Sequence, residues 1–285
     1  MGRSLNQAAK YVLESIESLG LQITIESRLD AMCKSLQNPD GSWRDFIGVN
    51  DHDFNFAREA LRDLTLLEFF FDQIGPEIET EQIKQQVKQS LRDSVLPQHD
   101  MPDSPGRDTQ AELFVFAVCK KGDLHPKFKE PDVVCEVCDE EFAIAVKRIK
   151  NLDKLVRRVR DGASQIQNSS LPGIVVVEIT RAVNPQNLEI ALPGDDSSFG
   201  KLWEATLKEI IDHKYNQLTN AVNGKGVIGI ILHDHQIRII DSDGKRRLET
   251  MTYRVSMCEG SINEKLKLDQ FTRRYIGAIP NLMML

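Results

Sequence analysis

Two residues on neighbouring apolar segments carry the chemistry available to this chain. Glu130-Pro131-Asp132-Val133-Val134 places a carboxylate at the start of one β-branched segment. Phe142-Ala143-Ile144-Ala145-Val146-Lys147-Arg148-Ile149 places a lysine near the end of the next. The acidic stretch Asp139-Glu140-Glu141 is expected to reverse the chain between them, bringing Asp132 and Lys147 together on a hairpin. Such a pair suits hydrolysis of a phosphodiester. The carboxylate helps to hold a divalent ion, Mg²⁺ or Mn²⁺, which activates water and offsets charge building on the phosphate. The lysine orients or deprotonates the water and stabilises the transition state.

Strand geometry sharpens this expectation. Side chains alternate, so residues 145 and 147 share a face, while Val146 points away and offers its backbone carbonyl to the metal. Position 145 is an alanine, which supplies no oxygen. Glu141 shares the face but lies four residues away, roughly 13 Å at strand rise. Glu136 is similarly displaced from Asp132, and the sequence gives Glu178, on a later strand, no definite place. No second carboxylate is therefore assigned beside Asp132 and Lys147.

The elements that must position these residues fall into two regions. Residues 1–100 read as helical, with helices expected over 5–19, 28–36, 54–74 and 77–95; Ile83, Val87, Leu91 and Val95 recur every fourth residue in the last. Residues 96–106 hold three prolines and a glycine and read as a linker. The second region, 105–285, has its core at about 108–180. There a helix at 108–121 precedes strands at 132–137 and 142–149, a helix at 152–167 with Asn151 as N-cap, and a strand at 174–180. A helix at 201–221 follows, then a three-stranded meander at 227–232, 236–240 and 249–257, with a turn at Asp241-Ser242-Asp243-Gly244. The expected class is α/β, a mixed sheet flanked by helices with a helical N-terminal region.

Composition narrows the setting. The 285 residues are 41% hydrophobic and 28% charged, as in an ordinary globular protein. The longest apolar runs have strand length, so no membrane association is expected. No apolar signal core follows Met1, Asn6 breaks the myristoylation pattern, and five scattered cysteines do not make a secreted disulfide framework. A cytoplasmic location is expected. The net charge of −7 gives no global signal for nucleic acid, but residues 147–160 carry seven basic side chains against Asp153 alone. Within that run Lys154 and Arg158 are expected to track a phosphate backbone, the alternative being a solvated helix face.

Taken together, these motifs resemble the PD-(D/E)xK, or restriction-endonuclease-like, nuclease superfamily. Pro131-Asp132 matches the first half of its motif and Lys147 the last, with Ala145 where the family carries a metal-binding acid, so the resemblance implies weak or absent metal binding and cleavage by the chain as written. Glu112 resembles the glutamate many members have on their first core helix, and Ala163-Ser164-Gln165-Ile166 resembles their A-x-Q-I element. The likeness covers about residues 108–180 and implies an αβββαβ core. It also implies a Mg²⁺-dependent endonuclease acting on DNA, with RNA left open. Metal ligands would be Asp132, position 145 and the Val146 carbonyl, with Lys147 catalytic and Glu112 and Gln165 positioning. An effector of restriction or anti-phage defence is among the family's occupations, as is work as a homodimer or as a partner subunit of a defence complex. A single missing carboxylate beside four retained residues reads more simply as an inactivated enzyme. The alternative is a catalytically silent subunit that binds nucleic acid or partner proteins.

Three weaker signals are read as structural. Cys135-Glu136-Val137-Cys138 is a lone CxxC, with only Cys119 or His125 imaginable as further donors, so neither zinc nor a disulfide is expected. His233-Asp234-His235 is expected in a strand connection, and Asn223-Gly224-Lys225-Gly226 as a loop lacking the full phosphate-loop pattern.

Overall fold

The computed structural model describes residues 3, 5–23, 27–35, 37, 51–75, 80–94, 104–188, 196–239, 246–256, 261–280 and 282–283. The helices are α1 (Leu5–Ser18), α2 (Arg28–Ser35), α3 (Asp51–Ile74), α4 (Glu81–Ser90), α5 (Pro105–Lys121), α6 (Leu155–Ser169), α7 (Thr180–Val183), α8 (Asp196–Val222) and α9 (Ile262–Ala278). The strands are β1 (Lys127–Lys129), β2 (Asp132–Val137), β3 (Glu140–Arg148), β4 (Gly173–Glu178), β5 (Val227–Ile239), β6 (Arg246–Ser256) and β7 (Leu282–Met283). They form one mixed sheet in sequence order. The β3–β4 and β4–β5 pairings are parallel, and the other four are antiparallel. Each parallel step is made through a helix, α6 and then α8, as a parallel crossover requires. None of the described helices is long and apolar enough to cross a membrane.

Alternation along the strands divides the core in two. Ile144, Val146, Ile174 and Val176 face a cluster built with α1, α3, α5 and α9. Ala143, Ala145, Val175 and Val177 face a second cluster built with α6 and α8. The N-terminal helices thus share a continuous hydrophobic core with the sheet. Helix α6 is aimed by burial. Leu155, Val159 and Ile166 are fully buried against the sheet, each contributing roughly 1.5–3 kcal/mol. That outweighs the 0–1 kcal/mol or so of a surface pair such as Arg158–Asp161, so the apolar stripe fixes which way the basic side chains point.

Several expected elements take a different form. The β2–β3 hairpin turns on Cys138 and Asp139, both at positive φ (53° and 60°), and Glu140 and Glu141 already belong to β3. Two consecutive positive-φ residues match the twist of the flanking strands, so the loop needs only two residues. The expected meander is a two-stranded hairpin instead. His233-Asp234-His235 is no connection but the middle of the 13-residue β5. There His233 Nε2 meets the Tyr275 hydroxyl at 2.7 Å, His235 Nδ1 meets the Thr250 hydroxyl at 2.8 Å, and Asp234 accepts from Trp203 and Gln236. With these side-chain atoms partnered inside the fold, and only His233 Nδ1 among the three residues buried without a partner among the described residues, the strand runs on unbroken. The turn at 241–244 and part of the linker lie outside the described residues, while Pro105 and Gly106 open α5. The turn Asn223–Gly226 joins α8 to β5.

Candidate functional site

Asp132 begins β2, one step past the Val133–Ile144 pair and so opposite Ala145. Beyond it β3 runs on with no β2 backbone beside it, and the Asp132 carboxylate takes the missing partner's place. Its Oδ2 accepts the Val146 amide at 2.7 Å and the Lys147 ammonium at 3.0 Å. The same ammonium donates to the Val146 carbonyl at 2.7 Å. Lys147 therefore sits between the two oxygens that strand geometry offers to a metal. Both side chains of the Asp132–Lys147 pair are largely buried, at 12% and 13% exposure, which makes the pair dependent on both partners.

An open cleft of about 280 Å³ lies over this pair, between α5 and α6. Glu112 of α5, Val146 and Lys147 of β3, and Arg158 and Gln165 of α6 line it. Burial pushes the Glu112 carboxyl up to about 8, helped by the neighbouring Asp132 charge and opposed by Lys147. Burial also raises Asp132, against the pull of Lys147 and the Val146 amide. Gln165 Oε1 is buried with no hydrogen-bond partner among the described residues.

Of the residues singled out by sequence, Glu112, Val146, Lys147, Arg158 and Gln165 line the cleft, and Asp132 joins them through Lys147. Two differ. Ala145 is fully buried beneath α6, where its Cβ would lie 3.3 Å from a Cβ added at Gly162. Lys154 is exposed at the end of a 3₁₀ turn, Leu152–Lys154, outside the cleft lining, so the helix proper starts later than Asn151 suggests. Asn151 caps that turn instead, accepting the Asp153 amide at 2.8 Å.

Asp108, Arg148 and Asp161 also line the cleft and were not read from sequence. Helical spacing was the available signal: Asp108 precedes Glu112 by four residues, as Asp161 precedes Gln165, and residues four apart share a face. Glu178 is held elsewhere, accepting from Arg148 Nε at 2.9 Å and from the Thr180 amide at 3.0 Å. Glu136 and Glu141 face each other near the hairpin turn and pair with Lys127 and Lys129. In the CxxC, Cys135 is buried in β2 and Cys138 exposed in the turn.

The donor set bears on a divalent ion. Asp132 and the Val146 carbonyl are hard oxygens of the kind Mg²⁺ or Mn²⁺ takes, but burial pushes the Glu112 carboxyl up to about 8 and Ala145 has no side-chain oxygen. Among the described residues no group of three or more His, Cys, Asp or Glu is arranged to hold a metal. The set falls one carboxylate short. What the cleft offers a phosphate is the cations Lys147, Arg148 and Arg158, flanked by a protonated Glu112 able to donate a hydrogen bond.

No protein-family model matches the chain, and no curated protein does at a significant level.

Proposed function

We propose that this chain is a nuclease-fold protein of the PD-(D/E)xK kind. Its cleft is built for a DNA phosphodiester, with RNA as the related substrate, and it lacks hydrolytic activity because position 145 is alanine. The carrying observation is the Asp132–Lys147–Val146 arrangement, in which one ammonium spans a carboxylate and a backbone carbonyl at a cleft lined by Lys147, Arg148 and Arg158 together with Asp108 and Asp161. Support comes from the element order α5, β1, β2, β3, α6, β4, which runs helix, three strands, helix, strand. In the restored enzyme a Mg²⁺-class ion would be held by Asp132, residue 145 and the Val146 carbonyl and would supply the activated water. Lys147 would then be the catalytic base or charge stabiliser, with Glu112 and Gln165 positioning. Cytoplasmic defence against foreign DNA, alone or with a partner subunit, fits such an enzyme.

The silent-subunit reading has one observation of its own. Ala145 is packed beneath α6 at a close helix–sheet contact, and a buried alanine suits that contact. Under the nuclease reading, and under the silent-subunit reading where that subunit binds nucleic acid rather than a partner protein, the cleft holds the nucleic-acid backbone, which gives a direct test. Phosphate contacts are independent of sequence and release counterions. Arg158→Ala is expected to weaken DNA binding equally across sequences and lower the log–log salt slope by roughly one. Lys154→Ala, outside the cleft, should change it less. An unaltered slope in Arg158→Ala would remove the cleft from the binding surface.

A further inference from the structure

The apolar stripe of α6 leaves the opposite side of the helix to solvent. At 3.6 residues per turn, Arg157 and Ser164 lie about half a turn round from Leu155 and Ile166, both fully buried. Arg160 precedes Ser164 by four residues and joins that side. Arg158 and Gln165 face the cleft on the flank. Arg157 and Arg160 are exposed, and among the described residues neither side chain has an ion pair or hydrogen bond. The one acid within residues 154–168, Asp161, stands 3.9 Å from Arg158.

A third cation comes from a distant part of the chain. The turn Asn223-Gly224-Lys225-Gly226 holds both glycines at positive φ, 71° and 73°, a region that glycine enters at no steric cost. The turn presents Lys225 to α6, where its ammonium donates to the Ser164 hydroxyl at 2.9 Å. That hydroxyl donates in turn to the Arg160 carbonyl at 3.0 Å. A neutral hydroxyl holds the ammonium in place without cancelling its charge. Three cations from two elements thus converge on one side of α6, and no carboxylate among the described residues pairs with any of them. The chain as a whole carries −7, so this concentration runs against its balance. Solubility alone does not call for a lysine from 61 residues away held against this face.

We propose that this side of α6 binds the phosphate backbone of a DNA duplex beyond the cleft, through Arg157, Arg160 and Lys225. From Arg157 to Ser164 is roughly 10 Å at 1.5 Å per residue, about three phosphate steps at 3.4 Å along one strand. Arg158, next to Arg157, lines the cleft, so the two surfaces are continuous. The choice of DNA over another polyanion rests on reading that cleft as a phosphodiester site.

The test is fluorescence anisotropy of the full chain with a labelled DNA duplex of two helical turns, at a series of salt concentrations. Lys225→Ala is expected to lower the log–log salt slope by roughly one. The triple variant Arg157→Ala, Arg160→Ala, Lys225→Ala should lower it by roughly three, at about 0.9 per lost contact. Lys225→Arg should keep the slope. Lys10→Ala, which removes one cation from α1 on the other face of the sheet, should also leave it unchanged. Far-UV circular dichroism checks that each variant folds, and the single variants remain informative if the triple one does not. A slope lowered by Arg158→Ala but unmoved by Lys225→Ala and by the triple variant would overturn the proposal and leave the cleft reading standing. A slope lowered by the triple variant but unmoved by Arg158→Ala would support this surface and count against the cleft. An equal effect of Lys10→Ala would reduce the result to net charge and overturn the proposal. So would an unchanged slope with loss of self-association in the triple variant by analytical ultracentrifugation, which would assign the face to a second copy of this chain. Absence of duplex binding by the unaltered chain would overturn it together with the cleft reading.

Discussion

Glu112 is the residue whose protonation most clearly reports the site. Its ordinary value of 4.5 rises to about 8, chiefly through burial and then through Asp132. Between those pH values the folded chain keeps a proton that the unfolded chain has released. Stability is therefore full below about 4.5, falls as pH rises through about 8, and levels off beyond. Glu112→Gln mimics the protonated form, so it should remove this group's part of the decline and be more stable than the unaltered chain at pH 9. Urea unfolding at pH 6 to 9 measures both slopes, and parallel slopes would show that Glu112 is not buried beside Asp132. The key residues were legible because Asp132, Lys147 and Glu112 lie in apolar segments where a charge needs a reason. Asp108, Arg148 and Asp161 were not, since a charged residue near a helix or strand end is usually solvated and only the approach of α5 and α6, from opposite faces of the sheet, to the end of β3 gathers them round one cleft.

At the scale of elements, the site depends on how closely β3, β4 and α6 approach. A Cβ at Gly173 would fall 2.2 Å from the Ala143 carbonyl oxygen, a backbone atom that cannot give without disturbing the β3–β4 pairing. Gly173→Ala should destabilise the fold by about 3 kcal/mol or more, read from the urea midpoint. Gly162→Ala should cost less. Its Cβ would meet Val175 Cγ1 at 3.0 Å and Ala145 Cβ at 3.3 Å, and alanine recovers about 1 kcal/mol of helix propensity. A neutral Gly173→Ala would mean that the strands sit further apart. The helices and strands of the core were readable from periodicity, and β2 begins and ends at the expected residues. What misled was local polarity. Glu140 and Glu141 looked like a turn because acids favour loops, whereas two positive-φ residues do the turning. His233-Asp234-His235 looked like a break, but partners from Tyr275, Thr250 and Trp203 let the strand continue, and such partners arrive from distant sequence. Helix α9 went unread because its apolar residues Leu268, Phe271 and Tyr275 are spread among charges, although Ser261 and Glu264 spell a capping box.

Over the whole molecule, one sheet carries two cores, and the cleft opens where α5 and α6, from opposite faces, meet the end of β3. The N-terminal helices are packed into the first core, and their Arg28, Glu59, Arg62 and Asp63 form buried ion pairs with one another and with Arg107 and Arg181. The proposal for this architecture is a phosphodiester-cleaving fold one carboxylate short. The most direct measurement is a Mg²⁺ time course of DNA cleavage comparing the chain as it stands with Ala145→Glu, and with Ala145→Glu carrying Lys147→Ala. The account predicts cleavage by Ala145→Glu alone, lost without Mg²⁺ and lost again with Lys147→Ala. A folded Ala145→Glu that cuts neither DNA nor RNA, or robust Mg²⁺-dependent cutting by the alanine chain, would contradict it.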